Sequence, residues 1–229
     1  MTDKIIETKK LVKIYEESKV KVNALRGIDL TVKKGEFMAI AGPSGSGKTT
    51  LLNIIGGLDS PTEGEVIVGG KDLSGLSKSE LSEMRLNSLG FIFQAYNLIP
   101  VLSALENVEY VMLLQGVKQE ERQKRAEEIL KEVGLGDYIN ARPNEMSGGQ
   151  QQRVAVARAI VSNPNVVLAD EPTANLDSTT GESLLVMMSE MNKKRDVTFV
   201  FSTHDAMVMK HSERLVILKD GKITEDKKK

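Results

Sequence analysis

Residues 42–50 read Gly42-Pro43-Ser44-Gly45-Ser46-Gly47-Lys48-Thr49-Thr50, and the reading of this stretch decides the fold. Gly42, Gly47, Lys48 and Thr49 occupy every fixed position of the phosphate-binding pattern G-x-x-x-x-G-K-[ST]. Before it, Phe37–Ala41 is an unbroken apolar run, as a strand buried on both faces of a parallel sheet requires. After it, Leu51-Leu52-Asn53-Ile54-Ile55 can continue as a helix. Strand, glycine loop and helix together make an anion site. Free N–H groups at the helix start point at phosphate oxygens, and the helix dipole favours their negative charge. Lys48 adds a cation for the β- and γ-phosphates, and Thr49 a hydroxyl for Mg²⁺. A plain glycine turn before an ordinary helix would need neither the Lys-Thr pair nor the fixed spacing. Alone, the pattern implies only that a nucleoside triphosphate binds.

The chain around this loop has 229 residues, enough for one sizeable domain. With 31 Lys and Arg against 32 Asp and Glu it carries almost no net charge, which argues against nucleic acid as the main partner. The absence of cysteine removes disulfide frameworks and thiolate metal sites, and suits a reducing compartment. No apolar run approaches the ~18 residues that span a bilayer, and Met1-Thr2-Asp3-Lys4 begins no signal-peptide core. A cytoplasmic chain is expected, with any membrane role supplied through a partner. The tail Asp226-Lys227-Lys228-Lys229 reads most simply as a solvated end.

Residues 5–41 read as β structure, with imperfect alternation from Ile5 to Ile14 and clean alternation at Val20-Lys21-Val22 and Ile28–Val32. A short strand is expected over 65–70, a helix over 76–86 and a strand over 90–94, ending on Gln94. Ser103-Ala104-Leu105-Glu106 is a capping box, so a helix starts near Ala104. Gln119–Val133 has helical periodicity with a charged, solvated face. Ser147-Gly148-Gly149-Gln150 can cap a helix over 151–161, with Ser147 at the N-cap and Gln150 at N3. Val166–Asp170 is an apolar strand ending in a carboxylate. A helix over 180–192, a strand over 197–201 ahead of His204 and a short helix over 206–210 follow. Asp220-Gly221 then turns a final hairpin. Strands alternating with helices predict an α/β core with a mainly parallel sheet. Residues 1–93 and 161–229 would form this core with an N-terminal antiparallel β subdomain, and 94–160 an inserted helical subdomain.

Carboxylates directly after a strand sit where ligands bind in open α/β sheets. There Asp170 suits Mg²⁺, and Glu171 suits the base that orients or deprotonates an attacking water. Gln94 could reach the metal and that water, and His204 also follows a β run. Each is weak evidence alone; a lone His is more often structural. Two glycines ahead of a helix at Ser147–Gln150 leave bare N–H groups, which fits a second phosphate site or an ordinary helix cap.

The ordered set of Gly42–Thr50, Gln94, Ser147-Gly148-Gly149-Gln150, Asp170-Glu171, Ala174-Asn175-Leu176-Asp177 and His204 resembles the ATP-binding subunit of ABC transporters. It matches that family's Walker A, Q-loop, signature, Walker B with catalytic Glu, D-loop and H-loop. The stretches 53–59 and 93–100 are similar to the macrolide-exporter and lipoprotein-releasing subgroup. Met146 stands where Leu commonly precedes the signature Ser, a nearly volume-conserving change, and Ala174 stands where the D-loop usually has Ser or Gly.

The resemblance implies an ATPase with Mg²⁺, held by Thr49, Gln94 and Asp170, and with Glu171, His204 and Gln94 at the chemistry. It implies ATP contacts from Tyr15 at the adenine and from Gly42 through Thr50 at the phosphates. It further implies a homodimer closed by ATP, in which Ser147, Gly148, Gly149 and Gln150 complete the partner's site and Ala174–Asp177 line the interface. A separate transmembrane permease would hold the dimer at the cytoplasmic face of the membrane. The apolar cluster Tyr96, Leu98, Ile99, Val101 and Leu102 would be its docking surface or part of the core. DNA-acting relatives separate their motif halves by a long coiled coil, whereas Lys48 and Ser147 stand 99 positions apart. A GTPase would need Asn-Lys-x-Asp, and Asn192-Lys193-Lys194-Arg195-Asp196 has one residue too many.

Overall fold

The computed structural model describes residues 4–17 and 20–229. Two sheets carry the molecule. The first is four-stranded and antiparallel in the order β2-β1-β4-β5, built from β1 (Lys4–Glu17), β2 (Val20–Lys33), β4 (Glu63–Val68) and β5 (Lys71–Asp72). Register shifts within β1, between Thr8 and Leu11 and between Lys13 and Ile14, account for the broken alternation of its sequence.

The second sheet has the order β10-β9-β3-β8-β7-β6. Its strands are β3 (Phe37–Ala41), β6 (Leu89–Ile92), β7 (Val166–Asp170), β8 (Thr198–Thr203), β9 (Arg214–Lys219) and β10 (Lys222–Lys228). All neighbours are parallel except β10, which returns antiparallel along β9. Every residue of β3 is buried. Phe37 and Ala39 face one apolar cluster and Met38 and Ile40 the other, the period-two division expected of a strand covered on both faces. Phe37 packs on Phe199 and Phe201 of β8 with centroids 5.6 and 4.7 Å apart.

Helix α1 (Lys48–Ile55) follows β3, and α2 (Lys78–Ser88) precedes β6. Between β6 and β7 lie α3 (Ala104–Leu114), α4 (Gln119–Glu132) and α5 (Gly148–Ile160). Their buried residues, among them Val108, Met112, Leu130 and Val156, share one apolar cluster with α6 (Ser178–Arg195) and one face of the parallel sheet. The short α7 (Ala206–His211) follows β8. Ser103 and Glu106 form the expected capping box of α3, and Ser77 with Glu80 forms another on α2. The Ser147–Gln150 box is present as read, but α5 starts at Gly148 rather than Gln151, because the two glycines are already its first turn.

Two further expectations are corrected. Gln94 lies in a turn two residues past the end of β6 instead of closing the strand, and His204 follows the last residue of β8 directly. The lysine-rich tail is exposed, as read, but ordered as the last part of β10. Arg214 holds it by donating to both Asp226 oxygens at 2.8 and 2.7 Å, while also bonding Glu36 at 2.8 Å and the Thr31 carbonyl at 2.7 Å. These hydrogen bonds keep the Asp226 carboxyl below the usual carboxylate range. Tail composition alone could not reveal an arginine twelve residues upstream in the chain.

Candidate nucleotide site

Because β3, β8, β7 and β6 run parallel, their C-terminal ends share one edge of the sheet. That edge gathers the P-loop, His204, Asp170 with Glu171, and Gln94, the position where open α/β sheets bind ligands. All of these but Asp170 border one open cavity of about 1040 Å³, shared with Tyr15 of β1. Lys21, Val22, Asn23, Ala24 and Arg26 of β2 and the Asp220-Gly221 turn also reach this cavity. Nothing in the sequence marks them, since only the packing of the two sheets brings them here.

Two glycines of the loop are fixed by geometry. Gly47 caps α1 at a φ of 102°, where a Cβ would lie 2.5 Å from the Ala24 carbonyl oxygen. A Cβ on Gly42 would lie 2.0 Å from the Leu218 carbonyl oxygen and 2.8 Å from Ser46 Oγ. At Gly45, by contrast, φ is +77° but the space is open. Gly42→Ala is therefore expected to lose about 3 kcal/mol by overpacking against backbone, and Gly45→Ala only about 1 kcal/mol of backbone strain. Urea unfolding of both variants separates the two causes; equal losses would show that clash is not what requires Gly42.

Lys48 is 7% exposed and folds back on its own loop, donating to the carbonyls of Gly42 at 2.8 Å and Pro43 at 3.1 Å. The Ser46 hydroxyl beneath is buried without a partner. The Thr49 hydroxyl lies 3.3 and 3.2 Å from the two Asp170 oxygens. This all-oxygen pair suits Mg²⁺, which takes one or two protein ligands and completes its shell with phosphate and water. Among the described residues no cluster of three or more His, Cys, Asp or Glu could hold a metal by itself.

Glu171 adopts a left-handed backbone, φ 47°, held by its N–H donating to the Ser202 carbonyl at 2.9 Å. Its carboxylate accepts from the Thr203 hydroxyl at 3.1 Å and lies 2.7 Å from His204 Nδ1. The tautomer with the proton on Nδ1 donates to Glu171 and leaves Nε2 free. A non-glycine residue in this region persists only where its surroundings over-determine it. Here β7 and β8 together aim the carboxylate at the cavity. The Asn175 side chain donates to the Gln94 carbonyl at 2.8 Å, tying the turn after β6 to the segment 174–177. Ala174 and Asn175 are exposed, and Asp177 caps α6 by accepting from Thr180 N–H at 3.0 Å.

Ser147–Gln150 does not border the cavity. The glycines have an intramolecular reason: a Cβ on Gly148 would lie 2.8 Å from Tyr96 Oη, and one on Gly149 2.5 Å from Thr180 Cγ2. Tyr96 and Asn97 both take positive φ, and Arg158 of α5 donates to their carbonyls. The five-residue apolar cluster is mostly half-buried. Leu98 packs against the core, Ile99 is tied to Asn107 through its backbone, and only Val101 is largely exposed, at 72%. Beside it runs a groove of about 570 Å³ lined instead by Leu58, Leu86, Phe91, Phe93, Val111 and Leu114.

A family model described as ABC transporter matches residues 25–174. The chain is 47% identical over 220 residues to an uncharacterized ABC transporter ATP-binding protein of Thermotoga maritima, covering 96% of this chain and 94% of that protein. It is 45% identical to the macrolide export ATP-binding/permease protein MacB of Wolinella succinogenes, over 98% of this chain and 35% of that longer protein. Among solved structures, the ATP-binding cassette MJ0796 of Methanocaldococcus jannaschii, a dimer in a post-hydrolysis state bound to ADP and Pi, superposes with a TM-score of 0.90. That pair is 45% identical, covering 97% of this chain and 98% of the other.

Proposed function

The chain belongs to the ABC transporter family as an ATP-binding cassette, an ATPase, and from that premise we propose that it works as a head-to-tail homodimer driving a separate membrane permease. The observation that carries this reading is the separation of two phosphate-suited helix N-termini. The P-loop borders the cavity with Glu171, His204 and Gln94, while Ser147–Gln150 stands outside it with Ser147 exposed. A second copy, turned about a two-fold axis, would bring its Ser147–Gln150 to the open side, and the exposed Ala174–Asp177 segment to the contact. Isologous packing of this kind makes two identical sites.

In each site the loop N–H groups from Gly42 to Thr50 cradle the phosphates, and Lys48 leaves the Gly42 and Pro43 carbonyls for the β- and γ-phosphates. Thr49, Asp170 and Gln94 would hold Mg²⁺, which neutralises phosphate charge when bound. Glu171 accepts a proton from the attacking water. His204 holds the Glu171 carboxylate through Nδ1, and a second proton, on Nε2, would let it donate to the γ-phosphate as well. Tyr15 seats the adenine. Residues 1–93 and 161–229 act as the catalytic core, and 94–160 as the helical part that carries the signature.

Among the described residues no helix is long and apolar enough to cross a membrane. In this reading the permease is a separate partner, and the cassette sits at the cytoplasmic face. The groove between β6, α2 and α3 is its seat: apolar, open, and next to the turn that carries Gln94. Leu58 and Leu114 line it and are 49% and 57% exposed, so replacing both with Ser should cost little stability, within roughly 0.5 kcal/mol each. Basal ATPase should hold, while recovery of a multi-span membrane protein with the tagged cassette is lost. Recovery undiminished in the double variant would place docking elsewhere.

A further inference from the structure

Tyr15 projects from β1 toward the cavity, yet a tyrosine on a surface strand has two free side-chain torsions and no inherent reason to stay in one pose. The structure supplies one. The Tyr15 hydroxyl donates to Asp59 Oδ2 at 2.7 Å, and Lys13, two residues earlier on the strand, reaches the other oxygen of the same carboxylate at 2.6 Å. The Lys13 ammonium also donates to the Ser60 carbonyl at 2.8 Å and lies 4.8 Å from the centre of the Tyr15 ring, within cation–π range. Lys13 and Asp59 are only 13% and 28% exposed, so this is a partly desolvated pair rather than a loose surface one. Burial pushes the Asp59 carboxyl up, but the hydrogen bonds from Lys13 and Tyr15 outweigh it and hold it below its usual range.

The position of Asp59 gives the cluster its meaning. Its backbone N–H, and that of Leu58, donate to the Asn53 carbonyl in the last turns of α1. The helix whose first turn meets the phosphates therefore also fixes, just past its last turn, the carboxylate that grips Tyr15. We propose that Asp59 and Lys13 are positioning residues that hold Tyr15 as a one-faced platform for the nucleotide's base, setting the distance from base to phosphates through α1. Asp59 anchors the hydroxyl, while the Lys13 cation covers one side of the ring and leaves the other for stacking. This rests on the reading of Tyr15 as the base seat.

The test compares calorimetric binding of ATP with that of inorganic tripolyphosphate, which carries the phosphates but no base. Tyr15→Ala should weaken ATP at least about fivefold, the lower end for loss of base stacking, and leave tripolyphosphate unchanged. Asp59→Ala should weaken ATP about fivefold, the net scale of one typical hydrogen bond, again without effect on tripolyphosphate. Tyr15→Phe should match it, and the double variant should lose no more than either single one, because both remove the same bond. In turnover, KM for ATP rises and kcat holds. Asp59→Asn, which keeps an acceptor for the hydroxyl, should recover most of the loss. Lys13→Met serves if Asp59→Ala does not fold, with the same ATP-only weakening expected. An equal loss of both ligands, additive losses with Tyr15→Phe, or unchanged ATP affinity would overturn the positioning role. Unchanged ATP affinity in Tyr15→Ala would instead remove Tyr15 as the base seat.

Discussion

Glu171→Gln is expected to slow ATP hydrolysis at least ~10²-fold, the scale of losing a general base, while ATP still binds. The substitution is nearly isosteric, and the partners of the side chain can stay in place. The Thr203 hydroxyl still finds an acceptor in the amide oxygen, and the backbone bond from Glu171 N–H to Ser202 is untouched. What is lost is the capacity to take a proton from water, together with one negative charge per site beside the triphosphate. Binding without turnover, and with less repulsion, should trap two copies around two ATP molecules. The variant should then elute from a sizing column as a dimer with ATP and as a monomer with ADP. Elution as a monomer under both conditions would refute the shared-site arrangement; near-normal turnover would mean that another group activates the water.

Much of this site is legible in the sequence because its parts are local. A buried parallel strand needs an unbroken apolar run, so Phe37–Ala41 and Val166–Asp170 announce themselves with both ends intact. A capping box is decided within four residues, so Ser103 and Ser147 read correctly. What failed depended on the third dimension. The turn at Gln94 starts early because Tyr96 and Asn97 take left-handed backbone angles, with carbonyls held by Arg158 some sixty positions away. The apolar cluster after Gln94 reads as a surface or a core with equal ease, since composition does not say which side of a loop meets α3. The groove is assembled from α1's exit turn, α2, β6 with the turn after it, α3 and the end of α5, segments with no common pattern. Asp59 lies just past α1, and only the register of β1 brings Tyr15 and Lys13 to it.

The sharpest test of the two-chain site uses two inactive variants. Lys48→Ala should abolish hydrolysis, because the buried cation over the P-loop is the only part of that site that supplies full positive charge from the loop itself. Ser147→Arg should abolish it as well, by breaking the capping box of α5 and placing a long side chain where the partner's phosphates would lie. The two differ in what survives. Ser147→Arg should keep the ATP affinity of the single chain, since residues 147–150 lie outside its cavity, whereas Lys48→Ala should lose it. Mixed in equal amounts and allowed to exchange, half of the dimers contain one chain of each kind. In those, one site has both lesions and the other has neither, because the intact Lys48 comes from the Ser147→Arg chain and the intact Ser147 from its partner. With one working site in half of the dimers, activity should return to about a quarter of wild type if the sites turn over independently. No pairing of lesions within single chains could restore it. Mixed dimers captured through two different tags, but as inactive as either parent, would show that each chain completes its own site or that one intact site does not turn over without the other.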